Sequence, residues 1–69
     1  MSTGIVKWFD PRKGYGFIQP DAGEREVFVH ISALTRSGLI DLREGQKISY
    51  ELMEDHRLGK LAAARLQLS

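Results

Sequence analysis

The chain has 69 residues, a net charge of +1 at pH 7 and no cysteine. A chain of this length forms a single domain, which we take as residues 1–69, and buries only about 60% of the surface that it exposes when unfolded. Without cysteine, disulfides and thiolate metal sites are excluded. No apolar run reaches the length of a membrane span and the first residues lack a signal-peptide pattern, so we expect a cytoplasmic protein without a membrane partner.

Charge is distributed unevenly along the chain. Residues 1–20 carry three cations and one acid, residues 21–55 carry four cations and eight acids, and residues 56–69 carry three cations and no acid. The two basic ends would form one basic face if the fold brought them together. Charge alone nevertheless favours a simpler interpretation, in which these side chains only solvate the surface.

Glycine and proline divide the chain into short segments, as is typical of an all-β domain. They predict turns at 10–14 and 20–23, a loop between Gly38 and Gly45, and a hairpin connection at 55–59. The strands predicted between these breaks span 4–10, 14–19, 26–31, 46–53 and 60–68, with a short helical turn at 32–34.

The last segment is ambiguous from its residues alone. Its apolar positions recur at helical spacing, and the run LAAARL at 61–66 has a high helix propensity. The segment by itself therefore predicts a helix. Only the family resemblance given below predicts a strand there.

Two predicted strands each have one aromatic face and one aliphatic or small face, because side chains alternate along a strand. The aromatic faces carry Tyr15, Phe17, Phe28 and His30, and the opposite faces carry Gly16, Ile18, Val27, Val29 and Ile31. Since a barrel has one interior, one of these two sets must face outward.

Residue type alone favours burial of the rings, because aromatic side chains in small domains are usually buried. Three features favour the opposite arrangement. His30 would need a hydrogen-bond partner inside the barrel, the slender aliphatic set fits a narrow interior, and Lys7 and Lys13 lie beside the aromatic segments. We therefore predict an exposed aromatic face, on which the bases of a single strand could stack while lysines attract its phosphates.

Several segments resemble the cold-shock domain family, in order and at the family's separations. They are GIVKWF at 4–9, KGYGFI at 13–18, VFVHISA at 27–33 and LREGQ at 42–46. Together with the strand after the last of them, the resemblance covers nearly the whole chain.

The resemblance implies a five-stranded antiparallel Greek-key barrel of the OB type that binds single-stranded RNA and DNA without a cofactor, metal or small-molecule substrate. Family members act as RNA chaperones that affect transcription and translation in the stress response. We expect a monomer, with dimerisation left open. Carried over by position, the binding residues are Lys7, Trp8, Phe9, Lys13, Tyr15, Phe17, Phe28, His30 and Arg57.

The predicted position of Trp8 depends on the resemblance. Strict alternation would place Trp8 on the same face as Val6, so its exposure requires curvature of the first strand. The alternative is a core residue that caps the barrel.

Four residues depart from the family pattern. Asp10 stands where asparagine is common and brings a negative charge near the expected phosphate path, and Arg65 replaces a small polar residue. Ile31 and Leu39 occupy positions that are often aromatic, so we expect fewer stacking surfaces and weaker binding. For Ile31 to reach the aromatic face, the strand must end or bulge there.

The sequence gives less support to two other classes of function. Catalysis is disfavoured because the chain has only two histidines, His30 and His56, and no nucleophile elbow, and a small barrel has little cavity. His56 is interpreted as a solvated loop residue and not as a metal ligand. An aromatic groove that docks a peptide remains an alternative, which a salt titration would separate from nucleic-acid binding.

Overall fold

The computed structural model describes residues 2–23, 25–55 and 59–68. Every predicted strand is found there, with ends that differ from the prediction by no more than two residues. The elements are β1 (Ser2–Asp10), β2 (Tyr15–Pro20), β3 (Val27–His30), α1 (Ile31–Arg36), β4 (Lys47–Asp55) and β5 (Lys60–Leu68). The short helical turn predicted after the third strand is α1.

The strands form a closed barrel in the order β1-β2-β3-β5-β4. Closure reduces the exposed sheet edge of a chain that has a small core, and in the described residues β3 and β5 pair at two positions. The predicted five-stranded barrel is confirmed, but the expectation of antiparallel pairing throughout is wrong, because β3 pairs with β5 in parallel. The connection between these two strands contains α1, a loop and β4, and such a long crossover lets the chain return in the same direction.

The interior of the barrel is mostly aliphatic, and the ring of Tyr50 is also fully buried there. Ile18, Val27 and Val29 are 0 to 2% exposed, which confirms the prediction that this side of β2 and β3 faces inward. The other buried residues are Val6, Ala33, Leu34, Leu42, Ile48, Tyr50, Ala63 and Leu66. The aromatic side of the same two strands therefore faces away from the core.

The β1–β2 turn forms where it was predicted. The Asp10 carboxylate accepts hydrogen bonds from the backbone N–H groups of Arg12 (2.9 Å) and Lys13 (3.3 Å). Gly14 adopts a φ of 81° and donates its N–H to the Asp10 carbonyl. Asp10 thus stabilises the turn that presents Lys13, a local role that its short side chain suits well.

The C-terminal segment is a strand, so the helix predicted from its residues alone is wrong. β5 pairs with β4 along its whole length and with β3 at two positions. Helix propensities differ by less than about 1 kcal/mol per residue, whereas a helix here would leave the facing backbone groups of two strands without partners. Tertiary pairing therefore overrides local preference.

Candidate nucleic-acid interface

A β-bulge in β1 determines where Trp8 points. Val6 pairs with Ile18, but the register then shifts by one residue, so that Trp8 pairs with Phe17 and Lys7 is the extra residue. Because the extra residue reverses the alternation of side chains, Trp8 lies on the same face as Phe17 while Val6 faces the core. The predicted outward position of Trp8 is confirmed, and the bulge is its physical cause.

Five rings on β1, β2 and β3 form one contiguous surface, which we call the aromatic cluster. Its members are Trp8, Tyr15, Phe17, Phe28 and His30. Trp8 lies 5.4 Å from Phe17 between ring centroids, and Phe28 lies 5.9 Å from Phe17. These separations and the tilted ring planes are those of favourable aromatic pairs. The rings therefore support one another's orientation before any ligand arrives.

The cluster is accessible to solvent although its rings touch. Trp8, Tyr15, Phe17 and Phe28 are partly exposed, and His30 is exposed. Each ring is buried on its inner side by the sheet and by its neighbours, which leaves an outer surface free for stacking. A patch of this kind on a small domain is typical of a binding surface.

His30 has a structural contact in addition to its place in the cluster. Its Nδ1 accepts a hydrogen bond from the backbone N–H of Ser32 at 3.1 Å and caps the N-terminus of α1. This cap ends β3 at His30 and fixes the imidazole ring beside Phe28. The ring is therefore held in place by α1 as well as by its aromatic neighbour.

Two lysines are carried by β1 and by the β1–β2 turn, the same part of the sheet that carries Trp8 and Tyr15. Lys7, in the bulge, has its Nζ 2.9 Å from Glu26 Oε2, and its side chain is 55% exposed. An ion pair at such exposure contributes little to stability, so Lys7 can exchange Glu26 for a phosphate at small cost. Lys13 is exposed at the β1–β2 turn.

Lys60 is a further cation at this surface that the site prediction missed. Its Nζ lies 5.5 Å from the centroid of the Phe28 ring. The excess of cations in residues 56–69 indicated a basic end, but the position of Lys60 over Phe28 depends on the parallel pairing of β3 with β5. That pairing was not predicted.

The remaining predicted site residues lie elsewhere. Phe9 pairs with Gly16 and packs against the core, so it is half-buried on the inner side of the sheet. Leu39 also packs against the core, whereas Ile31 lies directly after the end of β3 and beside Gly14. Ile31 could reach the aromatic face only if the strand ended or bulged there, and β3 does end at His30. Arg57 and His56 lie outside the described residues.

Other kinds of site find little support in the described part of the chain. Residues 2–23, 25–55 and 59–68 contain no group of three or more histidine, cysteine or acidic side chains placed to hold a metal ion. Among the same residues, no helix is long and apolar enough to cross a membrane.

Proteins of similar sequence fall into one family. Residues 2–69 match the family model described as "'Cold-shock' DNA-binding domain". The chain is 61% identical over 67 residues to a "Probable cold shock protein" of Sinorhizobium fredii and 51% identical over 67 residues to the cold shock protein CspA of Rhizobium meliloti, with 97% of each chain covered in both cases. It is 53% identical over 55 residues to the major cold shock protein CspA of Bacillus cereus, which covers 80% of this chain and 81% of the relative. The resemblance found in the sequence is confirmed: this chain belongs to the cold-shock domain family.

Proposed function

We propose that this protein binds single-stranded RNA and DNA with low sequence preference and acts as an RNA chaperone in the cytoplasm. The observation that carries the proposal is the aromatic cluster, which remains accessible while the aliphatic faces of β2 and β3 point into the barrel. Every base has a π-face, so partly exposed rings can stack on any base. The family match and the names of the relatives agree with this function.

The cations around the cluster would contact the phosphates. Lys60 lies over Phe28, Lys7 and Lys13 lie on β1 and in the β1–β2 turn, and we keep Arg57 as a predicted contact. Contacts between cations and phosphates release counterions, so binding weakens as salt rises. With three lysines engaged, the logarithm of the binding constant is expected to fall against the logarithm of salt with a slope of about −2. An apolar peptide-binding groove would give almost no slope.

Stacking also explains selection against duplexes. The faces of paired bases are covered by their neighbours in a helix, so the cluster can reach them only when the strands separate. A ligand that binds only the unpaired state shifts the equilibrium towards that state. This is the physical basis on which a protein without a catalytic centre could melt RNA secondary structure and so affect transcription and translation.

The experiment uses Trp8, the only tryptophan of the chain. Its fluorescence is expected to be quenched by a short oligothymidine or oligouridine, because a base stacked near the indole perturbs it directly, and to respond far less to a duplex of the same length. Titration at several salt concentrations measures the slope. The proposed function would be refuted if the oligonucleotide neither quenched Trp8 fluorescence nor was retarded by the protein in a gel at low salt.

Substitution of Ile31 tests whether the family departures weaken binding. Ile31→Phe is expected to raise the affinity for oligothymidine several-fold, because a ring beside Gly14 would add part of one stacked base. Leu39→Phe is expected to give a smaller gain, because Leu39 packs against the core and a larger side chain there introduces strain. Fluorescence titration of both variants checks this, and unchanged affinity in both would refute it.

A further inference from the structure

The outer face of the barrel continues beyond the aromatic cluster. Trp8 pairs with Phe17, Phe17 with Phe28, Phe28 with Ala62, and Ala62 with Met53. These residues form one row across all five strands, because directly paired residues point to the same side of a sheet. The side chains of the row are aromatic as far as Phe28. The next side chain, Ala62, is only a methyl group, and the last, Met53, is large again.

The small side chain in this row opens a groove. It has a volume of about 370 Å³, and its lining includes Phe28, His30, Arg36, Met53, Ala62 and Ala64. Phe28 and Met53 stand two strands apart, which is roughly 9–10 Å between backbones. A planar base between two walls needs about 7–8 Å at van der Waals contact. The strand spacing therefore leaves room for one planar base, and not for two, between Phe28 and Met53.

The side chains that line the groove are suited to packing against a base. Met53 is 59% exposed, which leaves a flexible and polarisable thioether uncovered across the groove from Phe28. Such a side chain packs readily against π-systems. Alanine is less favourable in a strand than β-branched or aromatic residues. Strand propensity therefore does not explain why the half-buried positions on the groove floor are Ala62 and Ala64.

A cation lines the groove. Arg36 lies in the last turn of α1, whereas Lys60 is outside the lining and has its Nζ 5.5 Å from the centroid of the Phe28 ring. Glu54 also lines the groove and would disfavour a phosphate on its side. A strand leaving the aromatic cluster is thus expected to place its base between Phe28 and Met53 and its phosphate near Arg36.

We propose that this groove is an additional base-binding subsite, which extends the single-strand footprint by one nucleotide from Phe28 across β5 to Met53. The inference rests on the proposed function, since the nucleotide reaches the groove as part of a strand already stacked on the cluster. It assigns a binding role to three residues that lie outside the predicted site: Arg36, Met53 and Ala62.

The first test measures affinity against length for oligothymidines of about 4 to 10 nucleotides. Ala62→Leu fills the groove from its floor, so its affinity is expected to stop rising with length one nucleotide earlier than that of the unchanged protein. Its affinity for longer oligothymidines should be lower by about five-fold or more, and its affinity for shorter ones should be unchanged. Ala22→Leu, in the exposed β2–β3 turn, is the matched control and should follow the unchanged protein. Arg36→Gln should reduce the salt slope by about 0.7 for long oligomers only.

A second measurement needs no variant at the groove floor, in case Ala62→Leu fails to fold. The methyl resonance of Met53, one of two methionines, is assigned with Met53→Leu. It should shift on adding the longer oligomer and stay unchanged with the shorter one, and an abasic sugar at the added position should abolish the shift.

The outcomes separate the two proposals. Identical length curves for Ala62→Leu and the unchanged protein, or a Met53 methyl that does not respond to any oligomer that binds, would overturn the subsite and leave the proposed function intact. Failure of the unchanged protein to bind at every length would overturn the proposed function and the subsite with it.

Discussion

Phe28→Ala is expected to weaken the binding of a short oligothymidine by about five- to hundred-fold, the largest loss of any single ring. Phe28 is central to the aromatic cluster, with ring centroids 5.7 Å from Tyr15, 5.9 Å from Phe17 and 6.4 Å from His30. Removing the ring eliminates one stacked base, which is worth about 1–3 kcal/mol. It also removes the surface that supports its neighbours and the partner of Lys60.

The measurement is a fluorescence titration through Trp8, with thermal unfolding recorded on the same samples to separate lost contacts from lost structure. Leu68→Ala is the control, because Leu68 is an apolar side chain on β5 that is 47% exposed, pairs with Ile48 and lies outside the aromatic cluster. It should bind like the unchanged protein. An affinity of Phe28→Ala within two-fold of the original, in a folded variant, would contradict stacking at this position.

Gly16→Ala is expected to destabilise the fold by at least about 2–3 kcal/mol, although Gly16 has no positive φ. A Cβ added there would overlap the Trp8 carbonyl oxygen and lie 2.6 Å from Phe9 Cα. Both contacts are with backbone, so β1 and β2 would have to separate where the bulge aims Trp8 outward. For a domain of this size the loss corresponds to a fall in Tm of roughly 10–20 °C.

Thermal and urea unfolding measure this loss. Gly23→Ala is the control, since Gly23 has a φ of 81° but nothing within 4 Å of an added Cβ. That variant carries conformational strain without a clash and should lose about 1 kcal/mol. If Gly16→Ala were as stable as Gly23→Ala, close approach of the strands would not be the reason for glycine at this position. A folded Gly16→Ala should also bind more weakly, because Trp8 would be displaced.

The sequence by itself determined the turns, the first four strands and the direction of the aromatic face. Glycine, proline and aspartate act within a few residues, so the turn at Asp10 to Gly14 could be predicted from them. Alternation is also local, and it separated Phe17 and Phe28 from the aliphatic residues that are now found in the core. Which set faced inward followed from the histidine and lysines around them.

Only the tertiary structure decided what depends on pairing between distant strands. The bulge that turns Trp8 outward exists in the register of β1 against β2, and neither strand encodes it alone. The C-terminal segment adopts a strand because β3 and β4 supply its hydrogen-bond partners, against its own helix propensity. The same parallel pairing places Lys60 over Phe28 and Ala62 between Phe28 and Met53. Contacts across a barrel are set by closure of the whole sheet, which no local pattern specifies.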